Sequence, residues 1–258
     1  MKKFIFSVAT SLIIMAMLLT GCSAIFHTTE LGNIIDKTYD FSDFNAVQLS
    51  SAFQYHITQS DTYSIEVSTY QNMINYLDIH QTGDTLYVGT KFGFYDYGAT
   101  NIIITMPELN KLDISGACHG GAVGFNSNSD FNAEISGASK LNLDVTSGKT
   151  NLNAAGASDI TGNLTSADTE ITLSGACQCE LTGSAGDTSI DASGACSMNS
   201  PDFTMQSADV TLDGACSASI DTDGLLNIEV SGFSTLNYSG NPTLGKTDIS
   251  GVSKLNHE

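Results

Sequence analysis

The sequence predicts an all-β chain folded as a single parallel β-helix, a right-handed solenoid with about 19–20 residues per coil. Three observations lead there. A glycine recurs eight times, at Gly116, Gly137, Gly156, Gly175, Gly194, Gly214, Gly232 and Gly251, in steps of 21, 19, 19, 19, 20, 18 and 19 residues. Around each glycine, apolar residues alternate with polar ones, which is the period of a strand with one buried face. None of the copies carries the 3.6-residue spacing of a helix. Because the motif repeats in one sense rather than as hairpins, equivalent strands are expected to stack in parallel. Each coil would hide its apolar face only against its neighbours.

Taken in chain order, residues 1–21 read as a secretory signal. Lys2 and Lys3 form a basic start, and Phe4 to Leu19 is an apolar run too short for a span of roughly 20 residues. Leu19-Thr20-Gly21-Cys22 follows and resembles the lipobox of bacterial lipoproteins. That resemblance implies cleavage before Cys22 and attachment of a lipid to its sulfur, which would hold the protein on a membrane. Residues 22–38 would be the tether. Without Lys2 and Lys3, seven lysines and no arginine face 28 acidic residues. Such a balance disfavours nucleic acid and anionic lipid as partners. The expected location is extracytoplasmic, anchored to the cell membrane or the outer membrane.

Residues 39–112 are expected to supply aromatic-rich N-terminal coils that plug one end of the stack. Eight of the nine tyrosines precede residue 98. Strands are expected at Ala46–Leu49, Tyr63–Val67, Thr85–Val88 and Ile102–Thr105. Gln71–Leu77 is either one helical turn or a loop. Phe92-Gly93-Phe94-Tyr95-Asp96-Tyr97-Gly98 sets four aromatics among glycines. Phe92, Phe94, Tyr95 and Tyr97 are therefore candidates for stacking on a sugar or a partner protein, against the plainer reading of a loop folded over the core.

Residues 113–258 hold the eight repeats. Two positions after each glycine stand Cys118, Ser139, Ser158, Cys177, Cys196, Cys216, Ser234 and Ser253. These are read as small inward residues, and the glycines as marking a narrow interior. One position after the glycine comes a row of alanines that ends in Phe233 and Val252. Phe233 is the one large side chain expected outside on that row and joins the candidate binding residues. Asp130, Asp168 and Asp187 share the offset seven before a glycine, but Lys149 interrupts the row a calcium site would need. The last coil is expected to present an open edge, available for self-association.

Chemistry-bearing motifs are absent. The five histidines are scattered, and no nucleophile elbow, phosphate loop or dinucleotide fingerprint occurs. Cys177-Gln178-Cys179 is a weak metal signal, because a thiolate site needs four convergent ligands. No catalytic residue, metal or cofactor is assigned. Phe41-Ser42-Asp43-Phe44-Asn45-Ala46-Val47, Met106-Pro107-Glu108-Leu109-Asn110-Lys111-Leu112 and the Ile-Ser-Gly-Ala-Ser copies resemble the head GIN domain of auto-transporter adhesins, a bacterial domain of unknown function. The resemblance spans about residues 39–256 and implies a β-helical protein, secreted or lipid-anchored at the cell surface. The expected function is non-enzymatic: adhesion to a glycan or surface protein, or an envelope scaffold. The alternative is a polysaccharide-active enzyme, a lyase or glycoside hydrolase. Lyases and hydrolases on this fold need clustered carboxylates on one face, and few cations are present to hold an acidic polymer.

Overall fold

The computed structural model describes residues 32–91 and 100–258. The signal segment, Cys22, and the loop bearing Phe92, Phe94, Tyr95 and Tyr97 lie outside the described residues. Residues 32–258 form a compact unit of their own. The unit is a right-handed β-solenoid built almost wholly of strands. A 3-10 turn at Ile74–Tyr76 interrupts it once among the described residues.

Each turn of the solenoid contributes one strand before its corner glycine and one after it, so two parallel sheets face each other. The sheet before the glycines runs in space from β6 (Thr85–Thr90) through β2 (Ala46–Ser51), β8 (Lys111–Gly116) and β10 (Phe131–Ile135). It continues through the second halves of β11 (Lys140–Gly156), β12 (Asp159–Gly175), β13 (Gln178–Gly194) and β14 (Ser197–Gly214). It ends at β16 (Leu225–Val230) and β18 (Thr243–Ile249). The sheet after the glycines runs from β7 (Asn101–Met106) through β3 (Gln54–Gln59) and β9 (His119–Asn126). It then takes the first halves of β11 to β14, and finally β15 (Ser217–Thr222), β17 (Thr235–Ser239) and β19 (Lys254–His257).

The corner glycines have φ between +71° and +97°, a region that side chains with a Cβ avoid. They also stack closely. A Cβ added at Gly175 would lie 2.6 Å from the carbonyl oxygen of Gly156, and one at Gly194 would lie 2.6 Å from that of Gly175. The same carbonyls accept the amide of the residue one past the next glycine, as in Ala157 to Gly137 at 2.8 Å and Ala176 to Gly156 at 2.7 Å. The glycine column therefore does not mark a narrow interior, as the sequence suggests. It is an exposed ridge where the chain turns left-handed and rung meets rung at the backbone.

The core follows the alternation. Ile114, Ile135, Leu173 and Leu212, two before their glycines, are buried, as are Leu141, Ile160, Met198 and Leu236, four after theirs. Gly120 breaks this last row, and its neighbour explains why. A Cβ on Gly120 would run into the backbone and ring of Tyr55 on the adjacent rung. Tyr55 is buried there and donates its hydroxyl to the Lys140 carbonyl at 2.9 Å. Burial above all, then the nearby Cys118, pushes this phenol well above its ordinary range.

The N-terminal end departs from the expected order. The strands anticipated at 46–49, 63–67, 85–88 and 102–105 all form, but the rung β6–β7 lies outside the rung β2–β3, although it follows it in sequence. Three further strands then close this end, two of them reversed relative to the stack and the third running with it again. β5 (Leu77–Thr82) pairs antiparallel with β6, β4 (Ser64–Tyr70) with β7, and β1 (Ile34–Tyr39) with β4. Residues 34–38, expected in the tether, thus belong to the folded unit. Phe44, Phe53 and Tyr55 bury the aromatic end. Pro201 lies inside β14, where the register with both neighbours shifts and a missing amide breaks no ladder bond.

Candidate functional site

Side chains of the solenoid surface repeat once per rung, about 4.8 Å apart. Most of these rows are polar ladders. Asn151 donates to Asn132 at 2.7 Å, Asn256 to Asn237 at 2.8 Å, and Lys140 pairs with Asp159 at 3.0 Å. At the second corner of several turns an aspartate caps the backbone. Asp130 accepts the Lys149 amide at 2.9 Å, and Asp168 that of Asp187 at 3.3 Å. Among the described residues no three His, Cys, Asp or Glu side chains converge as a metal site. Asp130 and Asp168 are thus structural caps, while the Asp187 carboxylate accepts the Ser207 hydroxyl.

One column differs from the ladders. At the N-terminal end of the sheet before the glycines, Tyr87, Gln48, Asp113 and Glu134 lie in register on successive rungs. The Tyr87 ring stacks on His80, with centroids 5.0 Å apart and planes 7° from parallel. Lys111 Nζ lies 3.0 Å from Glu134 Oε1, and this hydrogen bond raises the lysine's affinity for its proton. Burial, then the charge of Glu134, pushes the Asp113 carboxyl upward against the pull of Lys111. Beside the column runs a shallow trough of about 340 Å³, lined by Asp113, Glu134, Ser136, Asn153 and Thr172 among others. The result is a flat strip with an aromatic ring at one end, an amide, and two carboxylates.

Sequence reasoning did not single out this column. Asp113 and Glu134 both stand three before a glycine, which is a usable signal. Tyr87 and Gln48 precede the repeats, so no glycine gives their offset. Of the residues it did select, Phe233 is where the alternation puts it, 73% exposed on the glycine ridge beside Val252 at 65%. The alanines of that row, from Ala138 to Ala215, are exposed as well. Phe233→Ala should change stability by no more than about 0.5 kcal/mol in denaturant titration.

The interior cysteines form a structural column. None of the five described is in a disulfide, and all are buried. The Cys177 thiol donates to the Ser174 carbonyl at 3.2 Å, as the Ser158 hydroxyl does to Ala155 at 2.8 Å. Cysteine and serine thus serve one role: a small side chain that satisfies the carbonyl before the corner. Cys177→Ser should accordingly cost less than about 1.5 kcal/mol. Burial, then Asp159 and the neighbouring Cys177, pushes the Cys179 thiol up to about 12. A thiol reagent at pH 8 should leave Cys179 unmodified in the native protein and label it on unfolding.

Comparisons with known proteins agree with this architecture. Comparison with curated proteins gives no match. Among solved structures, a chain from Parabacteroides distasonis ATCC 8503 named "putative lipid binding protein" superposes with a TM-score of 0.82 at 20% identity. The match covers 88% of this chain and 97% of that one. A "putative adhesin" from Parabacteroides merdae ATCC 43184 gives 0.79 at 20% identity, covering 88% and 98%. One from Bacteroides fragilis NCTC 9343 gives 0.69 at 16%, covering 88% and 97%. These likenesses establish the fold. Residues 43–242 match the family described as "Putative auto-transporter adhesin, head GIN domain". The match spans most of the chain, which therefore belongs to the head GIN domain family.

Proposed function

We propose that this protein is a non-enzymatic binding module of the bacterial surface, lipid-anchored through Cys22, and that the column Tyr87–Gln48–Asp113–Glu134 takes a glycan. The column carries the reading. The Tyr87 face turned away from His80 suits the C–H surface of a sugar ring, while amide and carboxylate oxygens accept hydrogen bonds from its hydroxyls. Strand positions hold these groups rigidly, so little ordering is needed on binding. The adhesin description of the family and the adhesin names of two fold neighbours support the same reading.

The adjacent carboxylates favour one competing reading. Asp113 and Glu134 are in register on adjacent strands, and glycoside hydrolases work with a pair of carboxylates. Against it, both project from one flat face instead of flanking a bond, and Lys111 already holds Glu134. Screening residues 32–258 on a glycan array, with a parallel assay for polysaccharide turnover, separates the two. Expected are binding without turnover, and at least about a tenfold loss of affinity in Tyr87→Ala and Gln48→Ala. Turnover that disappears in Glu134→Gln would replace binding by hydrolysis. The anchor is tested separately. Mass spectrometry of the mature protein should find a diacylglyceryl group on Cys22, and Cys22→Ala should appear unlipidated in the soluble fraction.

A further inference from the structure

The two ends of the solenoid are finished differently. At the N-terminal end the added strands β5, β4 and β1 cover the stack, β5 and β4 of them reversed. At the other end, β18 and β19 are each paired on one side only, to β16 and β17. All seven residues of β18 are exposed. Leu244 and Ile249 continue the inward rows of Leu226 and Val230, yet they are 47% and 42% exposed because no rung covers them.

The charges on this rung have a pattern. Lys246 and Asp248 stand two residues apart on the outer face of β18, with Asp248 in register with Glu229. Lys254 and Glu258 stand four apart along β19 and its continuation, with Asn256 between them in the outer asparagine ladder. Two copies of β18 crossing antiparallel about Thr247 would set each Lys246 opposite the other copy's Asp248. Two copies of β19 crossing about Asn256 would set each Lys254 opposite the other's Glu258. Thr247 and Asn256 lie four residues before and five after the corner at Gly251, so they are nearly level across the solenoid. One two-fold axis perpendicular to both sheets therefore serves both crossings. Edge lysines ordinarily discourage strand pairing; in this register each meets an acid.

We propose that the C-terminal rung is an isologous docking edge for a second copy of this chain, with β18 pairing to β18 and β19 to β19 end to end. The arrangement closes on itself as a two-fold dimer and covers Leu244 and Ile249. Head-to-tail stacking lacks a matching parallel rung, because at the N-terminal end the outermost strand of one sheet, β5, runs in reverse while that of the other, β1, runs with the stack.

Residues 32–258 suit the test. They form a compact unit, and the solved neighbours consist almost wholly of the same fold. Sedimentation velocity at rising concentration should give a reversible monomer–dimer equilibrium that weakens with salt. The Asp248→Lys/Glu258→Lys variant makes the edge basic, and Lys246→Glu/Lys254→Glu makes it acidic. Each alone should be monomeric with an unchanged circular dichroism spectrum, a loss of at least tenfold in self-affinity. Mixed in equal amounts, they should form a heterodimer. A wild-type monomer at every concentration, dimers in both variants alone, failure of the mixture to associate, or open-ended polymers would each overturn the proposal.

Discussion

Gly175→Ala will destabilise the folded unit by about 3 kcal/mol, combining the cost of a left-handed backbone for a non-glycine residue with a steric clash. The φ at Gly175 is +95°, and the new methyl would sit 2.6 Å from the Gly156 carbonyl oxygen. That oxygen is also the acceptor for the Ala176 amide at 2.7 Å. Relief by backbone movement would therefore weaken the bond between rungs. Since a solenoid's stability is nearly a sum of rung and neighbour terms, damage at Gly175 should spread to the contact with Gly194 above it. Denaturant unfolding followed by circular dichroism measures the change. A loss within about 0.5 kcal/mol would mean that the corner is not the steric constraint inferred here.

Phe203→Ala will cost a similar or larger amount, about 3–5 kcal/mol. Phe203 is fully buried and lies in register with Gly183 on the rung below. Gly183 itself cannot carry a side chain, because a Cβ would run into the Leu164 carbonyl. The phenyl ring thus stands on a position that supplies no side-chain volume of its own. Removing it leaves a cavity that parallel strands, tied on both sides, cannot collapse to fill. Tyr55 over Gly120 repeats the arrangement at the N-terminal end. The measurement is the shift in unfolding midpoint relative to wild type, with Phe203→Leu recovering part of the loss.

The repeats were legible because each rung restates the same steric problem. Glycine at the corner, an apolar residue two before it, and a small one two after it recur with fixed spacing, and alternation alone places them inside or outside. Two matters could not be read this way. The reason for the glycine is a backbone-to-backbone approach between rungs, and spacing does not distinguish that from a narrow core. The order of the N-terminal rungs was also hidden. β2 and β6 carry the same alternating pattern, and nothing local to either says that β6–β7 stacks outside β2–β3, or that β4 and β5 run in reverse with β1 turning back beside β4. Those choices are made by pairings between residues far apart in the chain. The candidate column was invisible for the same cause, since Tyr87 and Gln48 meet Asp113 only through that non-sequential stacking. Phe233, which lies within the repeats, was placed correctly by its offset alone.

The fold is a parallel stack in which successive glycine corners form one straight ridge. Pulsed electron resonance distances between nitroxides on that ridge in residues 32–258 test it most directly, since Ala138, Ala176, Ala215 and Phe233 are exposed and the five described cysteines are buried. With one label at position 138 and the second moved along the row, the backbone separation should rise linearly by about 4.8 Å per rung, reaching roughly 24 Å at position 233. Distances that fail to grow with rung number, or that jump irregularly between neighbouring repeats, would contradict the stack.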